Sequence, residues 1–327
     1  MVKIKQILQR SLLQQCCFKL YFCHDSKMKT NYNIQPLQKI SPHGREISIF
    51  EISGSNIDEK VVEEFGEEWL KFHDFSDEMI SKSVDEYFDI INERILNKNS
   101  YAIDIGCGSG RWTKVMASRA GFIEAVDPSN AIFAADNLLK NIDNVRLTKA
   151  SINTLPFDDE TFDFAMSVGV LHHIPDTQQA MIDCVKKVKH GGYFYAYLYH
   201  DISDKGFLTR TAFAISDALR QIISRLPAGI KKFVCDIIAA LVYLPLVSLS
   251  RFFDWLGIKN IAKKIPLADY SNKAFFVMRN DALDRFGTRL EQRFTRKQVE
   301  EMMKAAGLAE IVISNGTPYW HGVGKKL

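Results

Sequence analysis

The stretch Tyr101-Ala-Ile-Asp104-Ile-Gly106-Cys-Gly108-Ser-Gly110-Arg111 decides how this chain is read. A short β-forming apolar run ends in three glycines on alternate positions, and a helical pattern follows. That order predicts a strand, a tight turn and a helix, with a ligand received where the backbone is bare. Glycine permits positive φ and lets another molecule approach the main chain. The spacing is G-x-G-x-G, whereas a dinucleotide fingerprint, G-x-G-x-x-G, would place its third glycine where Arg111 stands.

Beyond this turn, strand and helix patterns alternate. Strands are expected at 101–105, 122–126, 145–148, 162–167 and 193–198, with helices at about 110–120, 129–140 and 177–189, the last ending at Gly191-Gly192. Such alternation specifies a parallel sheet with helices on both faces, and ligands bind beyond the carboxyl ends of its strands. Thr295-Arg-Lys-Gln298 forms a capping box for a helix ending at Gly307. Segments 310–314 and 319–323 then flank Asn315-Gly316, a hairpin signal. Upstream, Ile80, Val84, Phe88, Ile91 and Ile95 share one helical face, which predicts a helix over 77–97. The segment Ile47-Ser-Ile-Phe-Glu-Ile-Ser53 is β-like.

A length of 327 residues suits one core domain with additions. Hydrophobic content of 46% and charge of 25% place it among soluble globular proteins. The six cysteines, at 16, 17, 23, 107, 184 and 235, lack framework spacing and read as reduced thiols in a cytoplasmic protein. Cys16, Cys17, Cys23 and His24 do not make two C-x₂₋₄-C pairs, so no metal is expected. The N-terminus is basic and apolar, but Gln14, Gln15 and Lys19 interrupt it and no small-residue cleavage site follows, so it is not read as a signal peptide. Met28 offers an alternative start.

Charge is uneven. Lys205–Lys264 carries ten Lys/Arg against three acids, an excess of seven positive charges, although the whole chain has a net charge of only +3.

Four motifs in order resemble the class I S-adenosylmethionine-dependent methyltransferases, within the broad group that includes the ubiquinone- and menaquinone-biosynthesis enzymes. They are Asp104-Ile-Gly106-Cys-Gly108-Ser-Gly110, Asp127 at the end of the second strand, Leu155-Pro156-Phe157, and Val168-Gly169-Val170-Leu171-His172-His173-Ile174-Pro175-Asp176. The likeness covers about 101–200, and the closing hairpin at 309–325 fits the family's seven-stranded sheet. It implies a Rossmann-like, doubly wound α/β fold, parallel with one antiparallel C-terminal strand, and S-adenosyl-L-methionine as cofactor with S-adenosyl-L-homocysteine as product. Phe65-Gly-Glu-Glu-Trp69 also resembles an N-terminal helix of methyltransferases encoded among surface-glycan genes.

That cofactor has no phosphates and needs no basic clamp, but its ribose diol suits a carboxylate. The resemblance gives this role to Asp127, in preference to the alternative of a helix N-cap. Gly106, Gly108 and Gly110 admit the methionine portion, while Asp104 orders the loop and helps hold the amino group. Pro128 and Ser167 complete the implied contacts. Ser151 stands where these families often carry an acid for the adenine amino group, and the Ile152 amide is the neighbouring candidate. Trp112 and Phe157 either flank the cofactor or pack in the core.

Methyl transfer to a hydroxyl needs alignment and a proton acceptor. His172 and His173 are the candidate bases, or one of them is structural; His73 and His200 are fainter candidates. The expected division is an N-terminal extension without fixed fold (1–40), a cap segment (41–100), the core (101–200), a helical basic lid insertion (201–295) and completion of the sheet (296–327). In the lid, Leu208, Ala212, Ile215, Leu219 and Ile222 follow helical spacing. Ile237–Ser250 is uncharged but, interrupted by Pro245, reads as too short to span a bilayer. Segment 205–264 is either a set of packed helices or an anionic-membrane contact; nucleic acid is not an expected partner. Residues 284–294 read as a polar loop lining the acceptor site or as an exposed charged surface.

The function these features imply is O-methylation of a lipophilic, lipid-linked or glycan small molecule by a cytoplasmic protein, either soluble or peripheral on the inner face of the membrane. The competing functions are an NAD-dependent oxidoreductase and a cofactor-binding protein without catalysis.

Overall fold

The computed structural model describes residues 29–71, 77–203, 206–315 and 320–327. Cys16, Cys17, Cys23, His24, Met28 and His73 therefore lie outside the described residues. The backbone divides into two compact units, one reaching to His200 and resuming at Gln292–Leu327, the other Asp201–Glu291.

The first unit is built on β1 (Gln38–Ile40), β2 (Ile47–Ile49), β3 (Tyr101–Ile105), β4 (Phe122–Val126), β5 (Val145–Lys149), β6 (Phe162–Val168), β7 (Val188–Leu198), β8 (Leu308–Ile313) and β9 (Trp320–Lys326). Their order is β1-β2-β5-β4-β3-β6-β7-β9-β8. Strands β2, β5, β4, β3, β6 and β7 run parallel. β9 is antiparallel to both β7 and β8. The seven strands from β5 to β8 are the expected sheet with its antiparallel C-terminal strand. The sheet has nine because the β-like segment at Ile47 adds β2 beside β5, and β1 pairs antiparallel with it.

Helices α1 (Glu59–Lys71), α2 (Asp77–Phe88), α3 (Arg111–Ala117) and α4 (Ala131–Leu139) precede α5 (Thr177–Lys186), and α11 (Arg296–Ala305) leads into β8. Ile80, Phe88, Trp112, Met116, Ile132 and Leu139 pack on one face of the sheet. Met181, Cys184, Val185, Val299 and Met303 pack on the other. The capping box of α11 forms as expected, with the Gln298 N–H donating to Thr295 Oγ1 and the Thr295 N–H to Gln298 Oε1.

Two boundaries differ from the sequence reading. Helix α2 stops at Phe88 rather than 97, and Asp89 just beyond it accepts hydrogen bonds from the Ser314 hydroxyl and the His321 ring. Gly191 and Gly192 lie within β7 rather than after a helix. They fall where the β6–β7 register shifts, Gly191 at φ 79°; a Cβ on Gly192 would sit 2.7 Å from the Asp163 carbonyl oxygen. Glycine is used there for close backbone approach inside a bulged strand.

The second unit is helical: α6 (Phe207–Ile223), α7 (Ala228–Ile238), α8 (Leu244–Trp255), α9 (Lys259–Ala262) and α10 (Phe275–Gly287). Its core joins Ile223, Cys235, Tyr243, Val247, Met278 and Phe286. A five-residue π segment, Ala239–Tyr243, makes α7 and α8 one continuous helix, with the Leu244 N–H donating to the Ala239 carbonyl. Pro245 does not break it as the sequence suggests. Proline lacks an N–H and clashes with the carbonyl one turn back, and a single wide turn just before it relieves both. Residues 284–287 complete α10 instead of forming a loop; Arg285 there pairs with Glu291 at 2.7 Å.

One buried polar network holds the first unit's central strands. Glu124 of β4 is fully buried and accepts from the Tyr101 hydroxyl at 2.6 Å and from Arg146 Nε at 2.8 Å. Arg146 also donates to the Thr30 carbonyl and lies 4.1 Å above the Tyr32 ring. Removing one partner leaves a buried charge uncompensated, so Arg146→Met should lower stability by about 3–5 kcal/mol in urea unfolding. Adding Glu124→Gln to that variant should recover most of the loss.

Candidate active site

The three-glycine turn lies at the carboxyl edge of β3. Gly106, Gly108 and Gly110 have φ of 80°, 54° and 79°, a region that favours glycine. The Gly106 and Cys107 N–H groups donate to the Val126 carbonyl at 2.7 and 3.0 Å. The Gly108 N–H donates to Asp127 Oδ2 at 2.8 Å. Asp127 Oδ1 accepts from the Ser129 N–H at 2.8 Å and from its hydroxyl at 2.5 Å. Oδ2 thus keeps a free lone-pair direction while the carboxylate is already fixed. Asp127 does not cap α4, whose flanking residue is Asn130.

Both acids are buried. Burial raises the Asp127 pKa, opposed by the Ser129 and Gly108 hydrogen bonds and by Lys149. Asp104 is pushed up to about 7 by burial and by the Asp127 charge, against the Thr113 hydroxyl that donates to it at 2.6 Å. Burial beside the two acids raises the Cys107 thiol well above its ordinary value, so it stays protonated.

Helix α1 crosses this turn. A Cβ on Gly66 would lie 3.0 Å from the Asn130 nitrogen, so its absence lets the helix close on the Asp127–Asn130 turn. Trp69 then stands over the loop: a Cβ on Gly108 would meet its indole at 3.6 Å. Arg111 lies 5.8 Å from the Trp69 ring and 4.3 Å from the Trp112 ring.

The His172-His173 segment closes the other side. A Cβ on Gly106 would come within 2.5 Å of Val170 Cγ2, which brings the turn Leu171–His173 against the glycine loop. His172 is fully buried, stacks on Tyr199 at 3.9 Å, and among the described residues has no hydrogen bond to either ring nitrogen. Burial, His173 and Arg293 hold its pKa well below the ordinary value, keeping the ring neutral. His173 lies 4.8 Å from the Phe65 ring.

The structure thus brings together Asp104, Gly106, Gly108, Gly110, Asp127, His172 and His173, with Pro128 beside Asp127. Two predicted side-chain contacts, those of Ser167 and Ser151, are engaged with the protein itself. Ser167 donates to the Ile105 carbonyl at 2.9 Å, tying β6 to β3 beneath the loop. The Ser151 hydroxyl bonds the Thr154 hydroxyl at 2.9 Å and the Ser53 carbonyl, and Ile152 opens a short 3₁₀ turn with its side chain against the core. Trp112 and Phe157 are buried, packed on Tyr87 at 4.4 Å and Phe162 at 5.1 Å. His200 lies in a bridge with Phe294, near Trp320. No group of three metal-ligating side chains occurs among the described residues. Sequence reasoning missed Ser129, Tyr199 and Arg293; only Ser129, two residues after an aspartate, carried a local signal, that of an Asx turn.

Bare backbone beside two buried carboxyls suits a ligand with a cationic centre and a diol. It opposes a pyrophosphate, whose charge would meet Asp104 and Asp127 in a poorly solvated turn.

Comparison with known proteins agrees. A family model described as a methyltransferase domain matches residues 103–196. The ubiquinone biosynthesis O-methyltransferase of Coxiella burnetii is 28% identical over 120 residues, covering 33% of this chain and 51% of that protein. The demethylmenaquinone methyltransferase of Staphylococcus carnosus is 32% identical over 107 residues, covering 30% of this chain and 42% of that protein. The chain therefore spans about half the length of the curated relatives it matches. The human N-acetylserotonin methyltransferase, solved with S-adenosylmethionine, superposes at a TM-score of 0.47 and 12% identity, covering 80% of this chain and 56% of that one. Residues 103–196 thus form a class I S-adenosylmethionine-dependent methyltransferase domain, distantly similar to the ubiquinone and menaquinone enzymes.

Proposed function

We propose that this protein methylates oxygen on a lipophilic, lipid-linked or glycan small molecule. The observation that carries the cofactor half is the fixed Asp127 carboxylate on the Gly108 N–H, beside the buried Asp104. When bound, S-adenosylmethionine supplies an electrophilic methyl group on a sulfonium. Asp127 Oδ2 would accept from the ribose diol, and Asp104 from the amino group. Relatives named for quinone methylation support the lipophilic substrate class. The reading puts the protein at the cytoplasmic face of a membrane, where such acceptors reside and anionic lipid faces the basic segment 205–264.

His172 is the base this arrangement favours. Its ring nitrogens have no partner among the described residues and its lowered pKa keeps it unprotonated, ready to accept the hydroxyl proton as the methyl transfers. His173, against Phe65, holds that ring in place.

Calorimetry tests the cofactor assignment. Wild type should give binding heat with S-adenosylmethionine and none with NAD, and Asp127→Ala should abolish it; heat with NAD alone would overturn the assignment. Absence of turnover with every hydroxyl acceptor tried, alongside intact cofactor binding, would favour the non-catalytic alternative.

Asp104 predicts a pH dependence. Its carboxyl holds a proton up to about pH 7 in the free protein, and a bound ammonium would expel that proton. Cofactor affinity should therefore rise by about tenfold per pH unit toward pH 7 and level off above it. Asp104→Asn should flatten that profile.

His172→Gln should lower kcat by about 10²- to 10⁴-fold with cofactor affinity unchanged. Because the neutral imidazole is the active form and its pKa is depressed, the acid limb of kcat should fall below pH 6.5. A limb at or above that value would assign the proton transfer to another group.

A further inference from the structure

We propose that Asp201–Glu291 docks on an anionic lipid surface, with the helix Ala228–Trp255 lying in the membrane plane and its apolar flank sunk among the acyl chains. The inference deepens the membrane placement proposed above and is independent of the methyl acceptor.

By length and composition, Ala228–Trp255 is apolar enough to cross a membrane, yet most of it is not buried within the protein. Its buried positions, Lys231, Cys235, Ala239, Tyr243, Val247 and Ser250, form one narrow stripe. A four-residue repeat overruns the 3.6-residue α turn and would drift round the helix; the π segment offsets that drift. Val234 and Ile238 flank that stripe against the core, and the opposite side faces outward, where Phe233, Leu241 and Trp255 are 65%, 72% and 79% exposed. Neighbouring α6 adds Ile215 and Ile222, 59% and 66% exposed. Exposed apolar surface this extensive marks an interaction site in a soluble protein.

Charge identifies the occupant. Trp255 is followed at once by Lys259, Lys263 and Lys264, all exposed, and Lys232 stands near the other end. An aromatic side chain among lysines at the end of an apolar stripe matches the boundary between acyl chains and anionic headgroups. The uncharged run 237–250 extends only about 21 Å as helix, short of the ~30 Å hydrocarbon core. Both its ends are tied to polar partners: Asp236 pairs with Arg279 at 2.7 Å, and Arg251 donates to the Ser271 and Lys273 carbonyls. Those constraints favour an in-plane helix over a spanning one.

Flotation of the full chain tests this, with phosphatidylcholine vesicles containing or lacking phosphatidylglycerol. The protein should float with the anionic vesicles, remain behind with the neutral ones, and be released by alkaline carbonate. Replacing Lys259, Lys263 and Lys264 by Gln should weaken partitioning by about 100-fold. Leu241→Glu with Phe252→Glu should abolish it while circular dichroism is retained. Trp255 emission should shift to the blue on anionic vesicles, a shift missing in Trp255→Phe. Equal recovery in the supernatant with both vesicle types, or resistance to carbonate, would overturn the proposal. So would a dimer dispersed by Leu241→Glu without vesicle binding, which would assign the flank to a second copy of the chain. Loss of flotation with calorimetric binding of S-adenosylmethionine intact would sink this inference alone.

Discussion

The hydrogen bond from the Gly108 N–H to Asp127 Oδ2, at 2.8 Å, is the contact on which the glycine loop of the first unit depends. It joins the turn after β3 to the end of β4, and a carboxylate acceptor makes it stronger than a neutral one. The turn can reach Asp127 only because three residues adopt positive φ. Once it does, the Val126 carbonyl takes two more N–H groups of the same loop, and Ser129 holds the other carboxylate oxygen. The loop is therefore set before any ligand arrives, which spares binding the cost of ordering it.

Absent side chains matter as much as present ones around that loop. Gly106 leaves room for Val170, so the His172 turn can press against it. Gly66 leaves room for the Asn130 backbone, so a helix distant in sequence can lay Trp69 over Gly108. Electrostatics then separates the roles of the buried groups. Asp104, lacking a cation, retains its proton near neutrality, whereas His172, facing Arg293 and His173, loses its own. Burial pushes each toward its neutral form, and a ligand or acceptor would supply the missing partner.

The helical unit follows the opposite economy. Its core is small, and a single long helix gives one side to that core while large apolar residues such as Phe233, Leu241 and Trp255 stay outward on the other. A proline that would end an ordinary helix is carried by one wide turn, so the apolar surface is continuous where the sequence suggests an interruption.

Local sequence determined the strand–turn–helix at Tyr101–Arg111, the alternating units, the capping box at Thr295 and the closing antiparallel strand, because each rests on short-range periodicity or on residues within a turn of one another. The positive-φ turn at Gly106, Gly108 and Gly110 was legible for the same reason. Tertiary structure decided the rest. Strands β1 and β2 join the sheet only through pairing with β5, a partner about a hundred residues away. Helix α2 ends early because Asp89 bonds Ser314 and His321 across the sheet's far end. Ser151 and Ser167 carry hydroxyls suited to a ligand, yet packing aims them at neighbouring backbone and side chains. Their direction, like the stacking of His172 on Tyr199, is set by contacts between residues remote in sequence, and no local pattern encodes it.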